Sequence, residues 1–288
     1  MTNPRLLITG AKGQLGQALQ AMTQDASPFE VCLIDREEVD LCDPAAIDTF
    51  FKTHQFDIVI NCAAYTAVDK AEAEPELADQ LNHLAVARIA AHVKSQHGVL
   101  IHISTDYVFD GKQHRPYLES DRPNPQSVYG RTKLLGEQAI EEIGTRGIII
   151  RTSWLYSEYG QNFLSTMLRL GAERDSLNVV FDQVGTPTQA RDLASAIMSI
   201  CSNPLLHRQT AEVYHYSNEG VASWYDFAAA IFEIQALPCS VSPIESREYP
   251  TPAARPHYSL LNKQKIKSTF NLSIPHWRDS LQQTLKPE

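Results

Sequence analysis

A tyrosine and a lysine lie four residues apart in the segment SVYGRTKLLGE, at Tyr129 and Lys133. On a helix this spacing brings both side chains to one face, where they can reach the same ligand. They follow Ser104 and Thr105, which end the apolar segment GVLIHIST. Hydroxyls at the carboxyl end of a buried parallel strand face the ligand crevice, so these residues predict one site. A helical tyrosine beside a surface lysine is the simpler alternative.

These side chains have the chemistry of carbonyl reduction. A free tyrosine titrates at about pH 10, and a neighbouring ammonium group favours the phenolate and moves its pKa toward neutral pH. We predict that Tyr129 donates a proton to the carbonyl oxygen and that Thr105 hydrogen-bonds this oxygen. Lys133 then tunes Tyr129 and holds the nicotinamide ribose, while the cofactor supplies hydride. The chain has no GxSxG or HExxH pattern, which disfavours serine hydrolysis and zinc chemistry.

A glycine-rich loop, LLITGAKGQLG, places Gly10, Gly13 and Gly16 between the first apolar segment and the first helix-length segment. Without side chains, such a turn lets backbone N–H groups approach a pyrophosphate at the positive end of the helix. We therefore predict that all three glycines contribute to a dinucleotide site. A tight turn that binds nothing is the alternative.

The end of the second apolar segment carries the residues expected beside the adenosine half of the cofactor. Asp35 stands where a carboxylate accepts both ribose hydroxyls of NAD, and Arg36 follows directly. An arginine there can pair with the 2′-phosphate of NADP, so the sequence supports NADPH or NADH and does not choose. Asp40 and Leu41 lie where the adenine ring would rest.

The elements that position these residues alternate along the chain. Short apolar segments separated by helix-length segments predict an α/β fold, a Rossmann-type doubly wound parallel sheet with a smaller, irregular substrate-binding lobe. Continuous apolarity within the strands indicates burial on both faces. We assign 1–154 to the NAD(P)-binding domain, to which about 178–215 returns, and 155–177 and 216–288 to the substrate-binding lobe.

Composition excludes several other classes of protein. With 288 residues and 43% hydrophobic residues, the chain can form a sizeable core. A net charge of -9 disfavours nucleic acid as a partner. No apolar segment at the start of the chain is long enough for a membrane anchor, so we expect no membrane partner and a cytoplasmic location. The five cysteines form no CxxC pair, which indicates neither a disulfide framework nor a metal site.

Several longer motifs occur in an order that identifies a family: TGAKGQLG, NCAAYTAVDKAE, STDYVFDG, YGRTKLLGE, RTSWLY, DQVGTPT and YPTPAARP. Over nearly the whole chain they resemble the extended short-chain dehydrogenases/reductases that act on nucleotide sugars, most closely the dTDP-4-dehydrorhamnose reductases. The resemblance implies cofactor contacts by Gly13, Gln14, Leu15, Asp35, Asp40, Leu41, Ala64, Tyr65, Thr66, Tyr129 and Lys133. It implies substrate contacts by Thr105, Asp106, Tyr129 and Trp154.

The same resemblance implies the reaction, the NAD(P)H-dependent reduction of the 4-keto group of dTDP-4-dehydro-β-L-rhamnose to dTDP-β-L-rhamnose, for polysaccharide biosynthesis. The alternatives are a reductase of another nucleotide-linked ketosugar and a non-catalytic, dinucleotide-binding regulatory subunit. Some relatives form dimers bridged by Mg²⁺ through glutamates, but the matching positions here are Ala18 and Arg191, with Asp192 beside them. Because a guanidinium repels Mg²⁺, we predict no metal site, and either a monomer or a dimer without a metal bridge.

Overall fold

The structure is a computed structural model that describes residues 3–24, 27–207 and 210–286. In that part of the chain the strands are β1 (Arg5–Thr9), β2 (Glu30–Ile34), β3 (Ile58–Asn61), β4 (Val99–Thr105), β5 (Gly147–Thr152), β6 (Leu155–Tyr156), β7 (Ser176–Val180), β8 (Val184–Gly185), β9 (Thr188–Gln189), β10 (Glu212–His215), β11 (Ala222–Ser223) and β12 (Ser240–Ile244). The α-helices are α1 (Gln14–Thr23), α2 (Pro44–Thr53), α3 (Val68–Ala71), α4 (Pro75–Asp79), α5 (Ala85–Ser95), α6 (Val128–Ile143), α7 (Phe163–Glu173), α8 (Ala190–Cys201), α9 (Trp224–Ile234), α10 (Gln264–Phe270) and α11 (Trp277–Leu285).

Six parallel strands form the central sheet in the order β2-β1-β3-β4-β5-β10. The inner strands β1, β3, β4 and β5 are mostly apolar because both of their faces are covered. In β1, Leu6 and Ile8 pack into a core that includes residues of α1 and α8, whereas Leu7 packs into a second core with residues of α2 and α5. The predicted doubly wound Rossmann-type sheet is confirmed.

The strand order reverses at β1, which lies between β2 and β3. In open α/β sheets such a reversal opens a crevice outside the carboxyl ends of the strands. Thr9, Asn61 and Thr105 end β1, β3 and β4 at this edge, and each of them is buried. The fold therefore brings the loops that follow these strands to one crevice.

The remaining described chain forms smaller sheets. Two-stranded pairs join β7 with β12, β8 with β11 and β6 with β9, and a third core lies among α7, α9 and α11. Within the segment 178–215, β10 pairs with β5 at one edge of the central sheet. This pairing supports the assignment of that segment to the nucleotide-binding domain, and the domain boundaries themselves stay a prediction.

The sequence predicts one helix from about Glu76 to Ser95, and the structure divides it. A π-helical segment, Gln80–Leu84, separates α4 from α5. Within this segment Asn82 is fully buried. Its side chain accepts a hydrogen bond from Tyr65 N at 2.8 Å and donates to Thr132 Oγ1 at 3.2 Å. Regular α-helical hydrogen bonding is therefore interrupted at the point where the Asn82 side chain holds the loop after β3.

Across 3–24, 27–207 and 210–286, no helix has both the length and the apolar character needed to span a bilayer.

Candidate active site

The predicted catalytic residues come from β4 and α6, which end and begin at the crevice. Thr105 is the last residue of β4, and Ser127 caps α6 by accepting a hydrogen bond from Gly130 N at 3.1 Å. The Tyr129 hydroxyl is hydrogen-bonded to Thr105. Burial nevertheless raises the pKa of Tyr129 to about 12, with the Thr105 hydrogen bond acting against the rise. The direction is opposite to the expected lowering by an ammonium group, because burial outweighs the Thr105 hydrogen bond and the nearby Asp106 carboxyl adds to the rise.

Lys133 lies one helical turn beyond Tyr129 and is almost completely buried. Its Nζ donates to the carbonyl oxygen of Ile103 at 2.6 Å and lies 3.3 Å from His102 Nε2. Burial lowers the pKa of Lys133 to about 8, while Glu137 and Cys62 act in the opposite direction. An amino group with this pKa changes charge near the pH of ordinary assays.

Asp106 follows directly on Thr105 and is also buried. Its Oδ1 accepts a hydrogen bond from Thr105 Oγ1 at 3.1 Å, and Ser259 of the second lobe also hydrogen-bonds the carboxyl group. Burial raises the pKa of Asp106 to about 6 in spite of these hydrogen bonds. In the described part of the chain its Oδ2 has no hydrogen-bond partner, which leaves an acceptor for a substrate hydroxyl.

Trp154, the predicted substrate contact after β5, is held in a strained conformation with φ of 47°. Thr188 N donates to its carbonyl oxygen at 3.1 Å. Its indole stacks on Trp224 at a centroid distance of 3.7 Å and an interplanar angle of 10°. Sequence reasoning did not identify Trp224, because a tryptophan at the start of a helix in the second lobe carries no motif of its own.

The glycine loop has the geometry that a pyrophosphate needs. Gly10 has φ of 64°, and a Cβ there would lie 2.8 Å from Ala63 N. A Cβ at Gly16 would collide with the Gly10 carbonyl oxygen, so the loop can pack on α1 only with glycine there. Gly13 caps α1 without any side-chain hydrogen bond to the first turn. Leu15 is buried in the core, so its backbone rather than its side chain faces the loop.

Gln14 ties the glycine loop to the second lobe. Its Oε1 accepts hydrogen bonds from Ser157 Oγ at 3.0 Å and from Asn162 Nδ2 at 2.8 Å. Asn162 is also the N-cap of α7 and accepts a hydrogen bond from Ser165 N. The first residue of α1 therefore shares a hydrogen-bond network with the start of α7.

Asp35 follows β2 and is fixed by the backbone of two cationic residues. Its Oδ2 accepts from Lys12 N and its Oδ1 from Arg36 N, both at 2.8 Å. The Lys12 ammonium pairs with Glu37 at 2.5 Å, and the exposed Arg36 guanidinium lies 3.6 Å from Asp40. Lys12 was missed by sequence reasoning, which considered the glycines, Gln14 and Leu15 of its loop.

The adenine-side residues differ in exposure. The Leu41 side chain is buried in the core with Val39 and Ile47. Asp40 is half-buried, and its Oδ1 accepts a hydrogen bond from Cys42 N at 2.9 Å. A carboxylate therefore lies at the surface of this region and a leucine beneath it.

The loop after β3 carries Ala64, Tyr65 and Thr66 at the same edge of the sheet. Tyr65 OH donates to Glu74 Oε2 at 2.5 Å, and Asn82 holds the Tyr65 backbone through both its N–H and its carbonyl. Ala64 is half-buried and Thr66 is exposed. These positions are consistent with a loop that lines the crevice, and their roles stay a prediction.

The positions that correspond to metal ligands in some relatives hold other chemistry here. Ala18 is buried, and the Arg191 guanidinium pairs with Glu158. Asp192 Oδ2 already accepts hydrogen bonds from Ser280 Oγ at 2.5 Å and Asn218 Nδ2 at 2.6 Å. The described ranges contain no group of three or more His, Cys, Asp or Glu residues arranged to hold a metal ion. The absence of a metal bridge stays a prediction.

Comparison with known proteins agrees with this arrangement. The family model described as RmlD substrate binding domain matches residues 4–288. The chain belongs to this family. It is 42% identical over 283 residues to a dTDP-4-dehydrorhamnose reductase of Sinorhizobium fredii, covering 96% of this chain and 95% of that protein. It is 38% identical to the spore coat polysaccharide biosynthesis protein SpsK of Bacillus subtilis, covering 98% and 97% of the two chains.

Solved structures of the family share the fold. A dTDP-4-dehydrorhamnose reductase of Clostridium acetobutylicum superposes with a TM-score of 0.92 at 39% identity, covering 98% of each chain. One from Bacillus anthracis, solved in complex with NADP, gives a TM-score of 0.91 at 37% identity, covering 98% of this chain and 99% of that one. The family predicted from the motifs is confirmed.

Proposed function

We propose that this chain reduces the 4-keto group of dTDP-4-dehydro-β-L-rhamnose to dTDP-β-L-rhamnose, with NADPH or NADH as hydride donor. One observation carries the proposal. The chain aligns almost end to end with relatives named for this reaction. At the carboxyl edge of its sheet Tyr129 is hydrogen-bonded to Thr105, and Lys133 donates to the carbonyl oxygen of Ile103, two residues before Thr105. A protein that only binds a dinucleotide has no need of this set of residues.

The residues around the glycine loop fit a dinucleotide. The uncapped start of α1 offers backbone N–H groups and a positive dipole to the pyrophosphate. Asp35 would accept the adenosine ribose hydroxyls, while Lys12 and Arg36 lie close enough to accommodate a 2′-phosphate. Lys133 would hold the other ribose. The bound nicotinamide supplies the hydride.

The protein's own part of the reaction is to hold the ketone and to deliver a proton. Thr105 would turn its hydroxyl hydrogen from Asp106 to the carbonyl oxygen of the bound ketone, beside the hydroxyl of Tyr129. Tyr129 transfers its proton as this oxygen becomes an alkoxide. Asp106 accepts a hydrogen bond from a sugar hydroxyl. Trp154, fixed by Trp224, limits the position of the sugar ring. Burial of this cluster excludes water that would compete for the proton.

The test is a spectrophotometric assay of NADPH and NADH oxidation with the dTDP-ketosugar and with UDP- and GDP-linked ketosugars. We expect turnover with the dTDP-linked compound and dTDP-β-L-rhamnose as the product by NMR. Preference for another nucleotide would assign the chain to a different ketosugar, and failure with every ketosugar would favour a regulatory subunit. A cytoplasmic location and a monomer or metal-free dimer remain part of the proposal.

A further inference from the structure

A row of buried polar side chains crosses three strands of the sheet and ends at Lys133. Thr9 on β1 pairs in register with Asn61 on β3, and Asn61 with His102 on β4. Thr9 Oγ1 lies 2.6 Å from Asn61 Oδ1, and Asn61 Nδ2 lies 3.1 Å from His102 Nδ1. The other ring nitrogen, Nε2, lies 3.3 Å from Lys133 Nζ. None of these side chains is more than 1% exposed, so bulk water does not complete their hydrogen bonds.

The first link sets the direction of the row. The backbone N–H of Ala63 donates to Thr9 Oγ1 at 3.3 Å, which leaves the Thr9 hydroxyl hydrogen for Asn61. A separation of 2.6 Å is usual for O–H···O and short for N–H···O, so the Asn61 oxygen faces Thr9 and its nitrogen faces His102. His102 Nδ1 must then accept a hydrogen bond. A neutral imidazole that accepts at Nδ1 carries its proton on Nε2.

We propose that this row holds His102 as the Nε2–H tautomer and aims that N–H at the amino group of Lys133, so that His102 is a positioning residue that opposes protonation of Lys133. A doubly protonated ring would place Nδ1–H against the Asn61 amide hydrogens. An ammonium on Lys133 would place two hydrogens between Nε2 and Nζ. The contact favours the amine, which accepts from His102 and donates to the Ile103 carbonyl oxygen at 2.6 Å.

The other titratable groups that face Lys133 offer it no free anion. Glu137, one turn further along α6, is bonded to the Arg151 guanidinium at 2.6 Å. Burial raises the pKa of the Cys62 thiol to about 12, and burial raises the pKa of Tyr129 to about 12 as well. Both groups are therefore neutral at ordinary pH.

The pKa shifts agree in direction with the geometry. Burial holds the pKa of His102 well below its usual range, and the charge of Lys133 adds to this effect. Burial lowers the pKa of Lys133 to about 8. The inference deepens the proposed reduction and rests on it for its catalytic meaning. If the ammonium form of Lys133 holds the ribose, the row sets the pH above which that form is lost.

The tautomer is measured first, by ¹⁵N NMR of the histidine rings in the purified full-length protein at pH 7. We expect one histidine with the Nε2–H pattern that disappears in His102→Gln. In Asn61→Asp the new carboxylate can only accept, so the proton should move to Nδ1 and the pattern should reverse. An Nδ1–H or doubly protonated His102 in the unsubstituted protein overturns the proposal, whatever its activity.

The effect on Lys133 is measured by NADPH binding, followed by cofactor fluorescence across the alkaline range. We expect affinity to fall as pH rises through the pKa of Lys133, at about 8. In Asn61→Asp and in His102→Gln, the side chain beside Lys133 can accept a hydrogen bond from its ammonium form. We therefore expect the pH at which NADPH affinity falls to move upward by about one unit in both variants. Asn178 is exposed, so Asn178→Asp is a matched control that should leave the pH at which affinity falls unchanged. If NADPH affinity falls at the same pH in all variants, the proposal is overturned.

The same variants are assayed for kcat/KM against pH with the dTDP-ketosugar, where the alkaline limb should move as NADPH binding does. Thermal melting by circular dichroism verifies folding, and the uncharged His102→Gln carries the test if Asn61→Asp does not fold. Failure of the unsubstituted enzyme to reduce any ketosugar contradicts the proposed function alone. The NMR and NADPH-binding results then decide the role of the row by themselves.

Discussion

Two polar clusters lie at the carboxyl edge of the same sheet, and they differ in burial. The buried cluster consists of Thr105, Asp106, Tyr129 and Lys133. The exposed cluster consists of Lys12, Asp35, Arg36 and Glu37. In the first, burial raises the pKa of Asp106 to about 6 and lowers that of Lys133 to about 8. In the second, a hydrogen bond to Glu37 is the largest influence on the pKa of Lys12, which it raises.

The difference separates two tasks. Groups removed from water interact strongly, and burial moves the pKa values of Asp106 and Lys133 toward neutral pH, which suits proton transfer. Exposed ion pairs are worth little and exchange partners readily, which suits recognition of a ribose with or without a phosphate. Substitutions in the buried cluster should therefore change rates by orders of magnitude, and those in the exposed cluster only the choice of cofactor.

The largest effect is expected at Tyr129. Tyr129→Phe keeps the ring but removes the transferable proton, so kcat should fall by about 10²- to 10⁴-fold, while NADPH binding stays nearly unchanged. Steady-state kinetics and fluorescence titration measure the two quantities. Tyr249, which is 63% exposed, supplies the control Tyr249→Phe. Turnover within a few-fold of the unsubstituted enzyme would remove Tyr129 from the reaction.

The next largest effect is expected at Asp106, in the dependence of the free energy of unfolding on pH. The pKa of Asp106 is raised from 3.8 to about 6 in the folded protein. Its contribution to the free energy of unfolding is therefore complete below the unfolded-state pKa, and it is lost as pH rises through about 6. Asp106→Asn has no carboxyl to titrate. Between pH 4 and 7 its free energy of unfolding should therefore rise by on the order of 2 kcal/mol relative to that of the unsubstituted protein.

Urea denaturation at a series of pH values measures this difference in the free energy of unfolding. Asp175 is exposed, and Asp175→Asn should follow the unsubstituted protein across the range. Parallel curves for Asp106→Asn and the unsubstituted protein would show that the Asp106 carboxyl is not held neutral by burial.

A smaller effect is expected at Asp35, in the exposed cluster. Asp35→Asn removes the charge that repels a 2′-phosphate and keeps an acceptor for the backbone, so the ratio of kcat/KM for NADPH to that for NADH should rise about two- to tenfold. Arg36→Gln should move the ratio the other way. An unchanged ratio in both variants would show that these side chains lie away from the ribose.

The smallest effect is expected from metal removal. Because Ala18 offers no ligand and the Arg191 guanidinium pairs with Glu158, treatment with EDTA should change neither the sedimentation coefficient nor the activity. Analytical ultracentrifugation with and without the chelator measures this. A dimer that dissociates on chelation would contradict the prediction and would point to Asp192 as a displaced ligand.

The sequence predicted best what depends on local pattern. The inner strands identified the doubly wound sheet because they are buried on both faces. The helices α2, α6 and α9 lie close to those that the sequence pattern predicts at about 44–54, 127–143 and 224–234. Strands as short as β6, β8, β9 and β11, with two residues each, have no periodicity to detect. They form only because segments that are distant along the chain meet in the fold.

Within the site, the sequence identified residue types and could not supply their surroundings. The spacing of Tyr129 and Lys133 was visible, but their pKa values depend on burial contributed by β3, β4 and the loops that follow. Trp224 and Lys12 were missed because each acts through a neighbour that the fold supplies, Trp154 in one case and Asp35 in the other. These residues are identified by contacts between distant parts of the folded chain and not by a sequence motif.

The π-helical segment at Gln80–Leu84 has a consequence for changes in chain length. Relative to an α-helix, such a segment accommodates one additional residue. Deleting one residue there would close the wide turn and let α4 and α5 join as one regular helix in their present register, while the residues of the turn itself, Asn82 among them, would shift. Asn82 would leave the Tyr65 backbone and Thr132, which it now joins. A single-residue deletion in the surface-exposed part of a helix is often absorbed at its end, but here it would release the loop that lines the crevice.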